Sequence, residues 1–344
     1  MQRLAGRKAI VTGAAQGLGA AIVEHLAEEG VAARIMKIPS NFPPWEGKAW
    51  TTSGMGTPDM TGGYGRFTYF TDFPPDRPKA ISGGTIVPVW IVNNQIRTSF
   101  QGPDNIYELD RRTPYLKKRD GTRERNYSRT EVPLTIYLDQ EHPQIKIEFQ
   151  DQEIMLAEGE WSGWRPIKFV MWPHVVEVRG IVRFYLKELP KEDDKLSAFK
   201  LYASPINMDP AGPPLPVAEP PEYGRLLAEE VGPFYTQGMP EDTKARQADL
   251  DIFNDGELFR QMMIVYEEDL EMLRWHLDRF EDGLLFYYFS SLDQGTHMFW
   301  RLHDPTHPAH DPEWAEKLGD PVELLYLKMD YALGLSLIHI SEPT

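Results

Sequence analysis

Alternation of apolar and polar residues marks the middle of the chain as β structure. In "QIKIEF", residues 144–149, positions 145, 147 and 149 are apolar and alternate with Lys146 and Glu148. This period-two pattern is typical of a strand with one buried face. Similar segments occur at "TIYLD", "IVRFYLKEL" and "AFKLYASPI". Together they predict an antiparallel sheet or sandwich over residues 85–205, in which Trp161, Trp164 and Trp172 fill the core; a binding role for these tryptophans is the alternative.

A different periodicity follows, in "DGELFRQMMIVYEEDLEMLRWHLDRFEDG". Its apolar residues recur at steps of three or four, which predicts a helix of about six turns with one buried face. That face consists of Leu258, Met262, Tyr266, Leu270, Leu273, Leu277 and Phe280.

Prolines separate these two regions. Residues 205–221 contain seven prolines, a density that predicts a boundary without regular elements. The Pro- and Gly-rich stretch "NFPPWEGKAWTTSGMGTPDMTGGYG" contains turn signals too dense for regular βαβ alternation.

Composition restricts the function. The 344 residues are 41% hydrophobic and carry a formal charge of −16, which argues against nucleic acid as a partner. A small phosphorylated substrate remains compatible, because a metal ion or a helix end can offset the charge locally. No apolar run is long enough for a membrane span, no signal peptide is apparent, and the absence of cysteine excludes disulfides. The sequence indicates neither a compartment nor an oligomeric state.

The stretch "AIVTGAAQGLGAAIVEHLAEEG" predicts a strand, a glycine-rich turn and a helix. Gly13, Gly17 and Gly19 would let a pyrophosphate approach the backbone. Residues 4–30 resemble the short-chain dehydrogenase/reductase family, which implies NAD(P) as a cofactor. However, the chain contains neither the Y-x-x-x-K pair nor the N-A-G turn of that family. At the end of the second strand, near the family's cofactor-selecting position, it has Lys37 and no acidic residue. The dehydrogenase is therefore kept as an alternative, and the glycines predict a β–turn–α element docked on an open sheet edge.

A candidate metal site follows in "GLLFYYFSSLDQGTHMFW". Leu284 to Ser290 predict a buried strand, Asp293 follows at its carboxyl end, and His297 lies four residues further on. If "DQGTH" is helical, both side chains share one face, where zinc could accept them as ligands. The alternative is structural: Asp293 is a helix N-cap and His297 a first-turn residue.

This stretch resembles the alkaline phosphatase superfamily, in its type I phosphodiesterase/nucleotide pyrophosphatase branch. Further segments that look like that branch are "SGMGTPDMTGGYGRFTYFT", "GIVRFYLKE", "YASPINMDP", "FYTQGMPEDTKA" and "LKMDYALG", so the likeness covers about residues 31–334. It implies an α/β fold in which a partial alkaline-phosphatase-like core carries a large inserted antiparallel β domain. It also implies that Asp293 and His297 hold one of the two zinc-like ions of the intact family.

The resemblance places the nucleophile and most other metal ligands outside this chain. We therefore expect a fragment of a metal-dependent phosphoester hydrolase, catalytically incomplete, with at most one weak site for zinc or a similar ion and no assignable catalytic residue. The last ten residues, "LSLIHISEPT", look like translated adapter sequence, although a C-terminal strand "LSLIHI" is the alternative. The dehydrogenase-like start, the phosphatase-like middle and the adapter-like end together suggest a chimeric, truncated open reading frame.

Five segments follow from this interpretation: a dehydrogenase-like fragment, a phosphatase-like core segment, the β-rich insertion, a helical segment with the core strand, and an artefactual tail. Their predicted bounds are 1–30, 31–80, 81–225, 226–334 and 335–344. A further alternative makes the β-rich insertion an independent binding module. His303, His307 and His310 lie in a Pro-rich loop that either packs on the core or adds metal ligands.

Overall fold

The chain forms two compact units. In a computed structural model, the described residues are 9–11, 33–38, 50–53, 66–73, 79–118, 120–191, 198–236, 246, 252–281 and 283–341. One unit, the β unit, comprises Pro58–Asp209, and the other, the α/β unit, comprises Met1–Thr57 and Pro210–Thr344. The predicted segment bounds at 80/81 and 225/226 stay predictions.

The α/β unit contains a five-stranded sheet. Its strands, in spatial order, are β1 (Ala9–Val11), β19 (Leu284–Tyr287), β2 (Ala33–Ile38), β3 (Trp50–Ser53) and β18 (Ala218–Glu219). The first four run parallel, and β18 pairs antiparallel with β3. Strand β1 occupies an edge beside β19, which confirms the docking predicted for the first strand. The turn and helix predicted after it lie outside the described residues.

Five helices are described in the same unit: α1 (Pro221–Glu230), α2 (Asp255–Leu277), α3 (Ser290–His303), α4 (Pro312–Leu318) and α5 (Pro321–Ser341). Helix α2 begins at a capping box, in which Asn254 and Glu257 satisfy each other's backbone N–H groups. Its predicted apolar face is confirmed as buried, and Phe280 is buried beyond the helix end. None of the helices in the described ranges is long and apolar enough to cross a membrane.

Helix α5 corrects one alternative. Residues 335–340, "LSLIHI", were considered as a strand, but they continue α5. The structure therefore gives no C-terminal strand at these residues.

The described residues of the β unit form four sheets. Its strands are β4 (Phe67–Thr71), β5 (Lys79–Ile81), β6 (Gly84–Pro88), β7 (Gln95–Leu109), β8 (Tyr115–Lys117), β9 (Arg123–Arg125), β10 (Tyr127–Leu138), β11 (Gln144–Phe149), β12 (Gln152–Ala157), β13 (Arg165–Trp172), β14 (Val176–Val182), β15 (Phe184–Glu188), β16 (Lys200–Ala203) and β17 (Asn207–Met208). The sheet orders are β12-β11-β10-β7, β13-β14-β17, β15-β16-β4-β6-β5 and β8-β9. All pairings are antiparallel except that of β4 with β6. The mixed α/β class with antiparallel sheets is thus present.

The alternation in "QIKIEF" is confirmed: β11 spans these six residues, with its apolar side chains buried. The segment "IVRFYLKEL" instead divides at Arg183 between β14 and β15. The prediction that Trp172 is a core residue is wrong, because the side chain is 53% exposed. In β13, residues 167, 169 and 171 face inward, so the pleat turns residue 172 toward solvent. Trp161 and Trp164 are half-buried.

Phenylalanines take the place expected for the tryptophans. The rings of Phe70, Phe169 and Phe184 surround Phe100 at centroid distances of 6.4 to 6.5 Å. All four side chains are fully buried.

The prediction that residues 205–221 lack regular elements is also wrong. Strands β17 and β18 fall within this segment, and α1 begins at Pro221. Proline is favourable at the first helical position because its missing N–H has no partner there. A proline-rich segment can therefore start a helix.

Candidate functional site

The candidate site lies where a buried parallel strand ends. Strand β19 runs between β1 and β2, and its four residues are buried. It is shorter than predicted, because Ser290 already belongs to α3. The site therefore occupies the carboxyl end of a parallel strand, which is where open α/β sheets bind ligands.

Helix α3 carries both predicted metal ligands. Asp293 lies in its first turn and His297 one turn later. The alternative that Asp293 caps the helix is wrong, because Phe289 is the N-cap residue and makes no side-chain cap hydrogen bond. Both side chains are thus free of a capping role.

The geometry of the pair fits a shared ion. His297 Nε2 lies 3.6 Å from Asp293 Oδ1, and the side chains are 76% and 47% exposed. Zinc bonds of about 2.0–2.2 Å at a tetrahedral angle place two ligand atoms about 3.4 Å apart. The two atoms therefore need to move by only a few tenths of an ångström (about 0.2 Å) to bind one ion together.

A cavity of about 790 Å³ opens beside the pair. Strand β19 and helices α2, α3 and α5 supply its walls, which are mainly apolar. The polar groups lining it include Tyr288, Thr296 and Asp330 besides the pair. Such a cavity, apolar with a few convergent polar groups, is typical of small-molecule sites.

Tyr288 gives the cavity a hydrogen-bond donor. Burial, together with the negative charges of Asp293 and Asp269, raises the pKa of Tyr288 to about 12. The phenol therefore remains protonated at neutral pH and can donate a hydrogen bond to an anion. Thr296 is less available, because its hydroxyl donates to the Leu292 carbonyl oxygen at 2.7 Å.

The ligand set is incomplete within the described part of the chain. No cluster of three or more His, Asp or Glu side chains there could hold a metal ion. Two ligands without a third bind a divalent ion less tightly than the three or four protein ligands of established zinc sites.

Three histidines, one at the end of α3 and two in the Pro-rich loop that follows, make local contacts. His303 Nδ1 lies 2.6 Å from Asp320 Oδ2, and His310 Nδ1 lies 2.8 Å from the Arg301 carbonyl oxygen. His307 Nδ1 accepts a hydrogen bond from the Ala309 N–H. Burial acts to raise the pKa of Asp320, but hydrogen bonds from the Glu323 backbone and from His303 hold it below its ordinary value. These contacts give each of the three histidines a local partner.

Helix α2 also buries polar side chains, which its apolar periodicity did not predict. His276 is fully buried, with Nε2 2.5 Å from the Tyr223 hydroxyl and Nδ1 2.6 Å from the Met272 carbonyl oxygen. Nearby, burial and then the carboxylates Asp269 and Glu268 raise the pKa of Tyr287 far above its ordinary value. Apolar periodicity assigned α2 only an apolar buried face, so these positions carried no signal of their own.

Two cavity residues were also missed. Tyr288 stood inside the predicted strand, and Asp330 stood in "LKMDYALG", which supported the family resemblance without a chemical role. The proximity of Asp330 to the strand end depends on the packing of α5, which the local sequence does not encode. Gly13, Gly17 and Gly19 lie outside the described residues.

Comparisons of the chain with protein-family models, with curated proteins and with solved structures found no match. The likeness to either family therefore rests on the sequence motifs alone.

Proposed function

We propose that residues 31–334 derive from a metal-dependent phosphoester hydrolase of the phosphodiesterase/nucleotide pyrophosphatase type, with an alkaline-phosphatase-like core. Asp293 and His297 hold a divalent ion, zinc or a similar metal. The substrate class is a small phosphorylated compound. The chain by itself carries an incomplete catalytic site.

One observation carries this proposal. A carboxylate and an imidazole, 3.6 Å apart, stand at the carboxyl end of a buried parallel strand and open on a cavity of about 790 Å³. This combination supports ligand binding over a purely structural role, since neither side chain caps the helix.

The residues have separable roles in this proposal. A divalent ion held there would supply Lewis-acid stabilisation of the charge on a phosphoryl oxygen. Asp293 and His297 hold it, while the protonated Tyr288 donates a hydrogen bond to the bound anion. The apolar wall excludes water from the remainder of the ligand.

Calorimetric titration of the full chain with zinc chloride tests the metal site. We expect one zinc ion per chain for the native sequence and none for D293A/H297A. The double variant D139A/H142A is the matched control, because His142 Nδ1 and Asp139 Oδ1 are also 3.6 Å apart. Zinc binding that persists in D293A/H297A, or its absence in the native chain, would exclude Asp293 and His297 as the site.

Turnover tests the expected incompleteness. We expect the full chain with zinc to leave bis(4-nitrophenyl) phosphate intact, because no nucleophile is assigned. Metal-dependent hydrolysis that D293A abolishes would instead establish a complete hydrolase. Titration with NAD(H) addresses the dehydrogenase alternative, for which we expect no binding.

A further inference from the structure

A strongly basic hairpin stands out in this acidic protein. Residues 111–125 contain seven Lys or Arg residues and two acidic ones, whereas the whole chain has a net charge of −16. Strands β8 and β9 of this hairpin are exposed along their full length. Positive charge is thus concentrated on one exposed element of the β unit.

One face of the hairpin is entirely cationic and aromatic. Tyr115 pairs with Arg125, and Lys117 pairs with Arg123. Because side chains alternate along a strand, these four residues share one face. Like charges directly opposite each other destabilise a strand pair. A two-stranded hairpin is also marginal by itself, so this face is the place where a bound anion would relieve repulsion.

Part of this charge is uncompensated. Arg111 pairs with Glu108, and Lys118 pairs with Glu124. Among the described residues, Lys117 and Arg123 have no carboxylate within ion-pair distance. Two exposed cations therefore remain available on the same face.

Exposed apolar side chains adjoin the base of the hairpin. Tyr107 and Trp172 contact each other with ring centroids 5.8 Å apart, and both are 53% exposed. The Asn105 side chain fixes their strands together by donating to the Met171 carbonyl oxygen at 2.8 Å. Ile106 and Val175 are also exposed beside them in sequence.

Leu116 of the hairpin is also 47% exposed, but it pairs with Glu124 and lies on the face opposite to Lys117 and Arg123. We call residues 111–118 and 120–125 of the hairpin, together with Ile106, Tyr107, Trp172 and Val175, the cationic end of the β unit.

We propose that the cationic end binds the surface of an anionic lipid bilayer. Lys and Arg near an anionic leaflet are attracted to its headgroups. Tyr and Trp favour the membrane–water interface, because their rings are apolar and their polar tips reach water. The exposed aliphatic residues Ile106 and Val175 distinguish this partner from a nucleic acid, which offers no apolar phase to bury them. The acidic remainder of the chain favours approach by this end alone, since an anionic surface repels it.

Co-flotation of the full chain with phosphatidylcholine vesicles, with and without phosphatidylserine, tests the proposal. We expect binding only when phosphatidylserine is present, and weaker binding at higher salt. The double variant K117Q/R123Q should bind about 25-fold more weakly, at about fivefold for each cation lost near the surface. The control R225Q/K317Q removes two exposed cations from α1 and α4 of the other unit and should bind as the native chain does.

Brominated phosphatidylcholine in the anionic vesicles tests the apolar part of the cationic end. Its acyl chains should quench the fluorescence of Trp172, so W172F should lose that quenching. Trp90, 67% exposed and close to the opposite end of β7, provides the matched variant W90F, which should retain it.

Equal binding to both kinds of vesicle, or unchanged binding of K117Q/R123Q, would overturn the proposal. Absence of binding to the anionic vesicles would overturn it as well. A single-stranded oligonucleotide that displaces the chain from the vesicles and binds it more tightly at the same salt would assign the surface to nucleic acid instead.

Discussion

Two Asp–His pairs of this protein have the same separation and different surroundings. Asp139 and His142 lie in the turn between β10 and β11, and Asp293 and His297 lie on α3; in both pairs the closest carboxylate–imidazole distance is 3.6 Å. Asp139 is already saturated, because it accepts hydrogen bonds from the Glu141 and His142 N–H groups and from the Gln144 side chain. Asp293, by contrast, borders a cavity, and among the described residues its single hydrogen-bond donor is the Gln294 side chain, at a long 3.4 Å.

The difference shows that distance does not identify a binding pair. A carboxylate whose oxygens already accept several hydrogen bonds must lose them to bind an ion, whereas an exposed carboxylate gives up mainly water. The α3 pair is a candidate site because its carboxylate is not committed to several hydrogen bonds and because a cavity adjoins it. Carboxylates and histidines elsewhere in the protein, some buried and some exposed, provide further tests of this difference.

The largest effect is expected for a third setting, in which the carboxylate is buried. Asp255 is 1% exposed and contacts both Arg246 and Arg301. D255A should lower the free energy of unfolding by about 3 kcal/mol, the lower end of the range for breaking a buried ion pair, because both arginines are partly exposed. Urea denaturation measures the change, with exposed D330A as the control. If D255A lowered the free energy of unfolding by less than about 1 kcal/mol, burial of Asp255 would not make it more important for stability than an exposed carboxylate.

A buried histidine supplies the next effect. Y223F removes the hydroxyl that lies 2.5 Å from His276 Nε2. The free energy of unfolding should fall by about 1–3 kcal/mol, the cost of leaving a buried polar atom unsatisfied. Y326F changes an exposed tyrosine by the same atom and should leave the stability unchanged. Equal stabilities of the two variants would indicate that the contact with His276 does not stabilise the fold.

The hydrogen bonds of Asp139 should make the stability of the protein depend on pH in acid. Hydrogen bonds from Gln144, and then from the Glu141 and His142 backbones, lower the pKa of Asp139 from 3.8 to about 2. Because the folded-state pKa is depressed, this stabilisation is present above pH 3.8 and is lost as the pH falls toward 2. In urea denaturation as a function of pH, D139A should lose stability relative to the native chain at neutral pH, and the difference should shrink in acid. A difference that is constant with pH would contradict the assignment.

The smallest effect is expected at the candidate site itself. D293A and H297A should each change the free energy of unfolding by less than about 0.5 kcal/mol in the absence of metal, because both side chains are exposed. Thermal denaturation in the presence of a chelator measures this. A larger destabilisation would give the pair a structural role and weaken its assignment to ligand binding.

Local patterns predicted the elements that a short window encodes. The alternation in "QIKIEF" predicted β11, since one face of that strand is buried and the other is not. The buried face of α2 followed from steps of three and four for the same reason. Trp172 was misassigned because a residue's size indicates burial only on average, whereas the pleat of β13 decides its side. The start of α1 at Pro221 was missed because proline density in a sequence does not distinguish a loop from a first helical position.

The candidate site was only half predictable. The spacing of Asp293 and His297 places both on one helical face, and the preceding apolar run places them after a strand. The contribution of Tyr288 and Asp330 was not predictable, because it requires β19 and α5 to meet around one cavity. The cationic end was missed for a similar reason: the net charge of −16 conceals a hairpin whose cross-strand register collects its cations.

By itself, then, the sequence determined the strands with alternating burial, the long amphipathic helix and the shared face of Asp293 and His297. These depend on the periods of the backbone, which are local. Tertiary structure decided the rest: β1 beside β19, "LSLIHI" within a helix, one Asp–His pair saturated and the other open. Such outcomes depend on which distant segments pack together, and packing fixes whether a polar side chain meets a hydrogen-bond partner, solvent or a cavity.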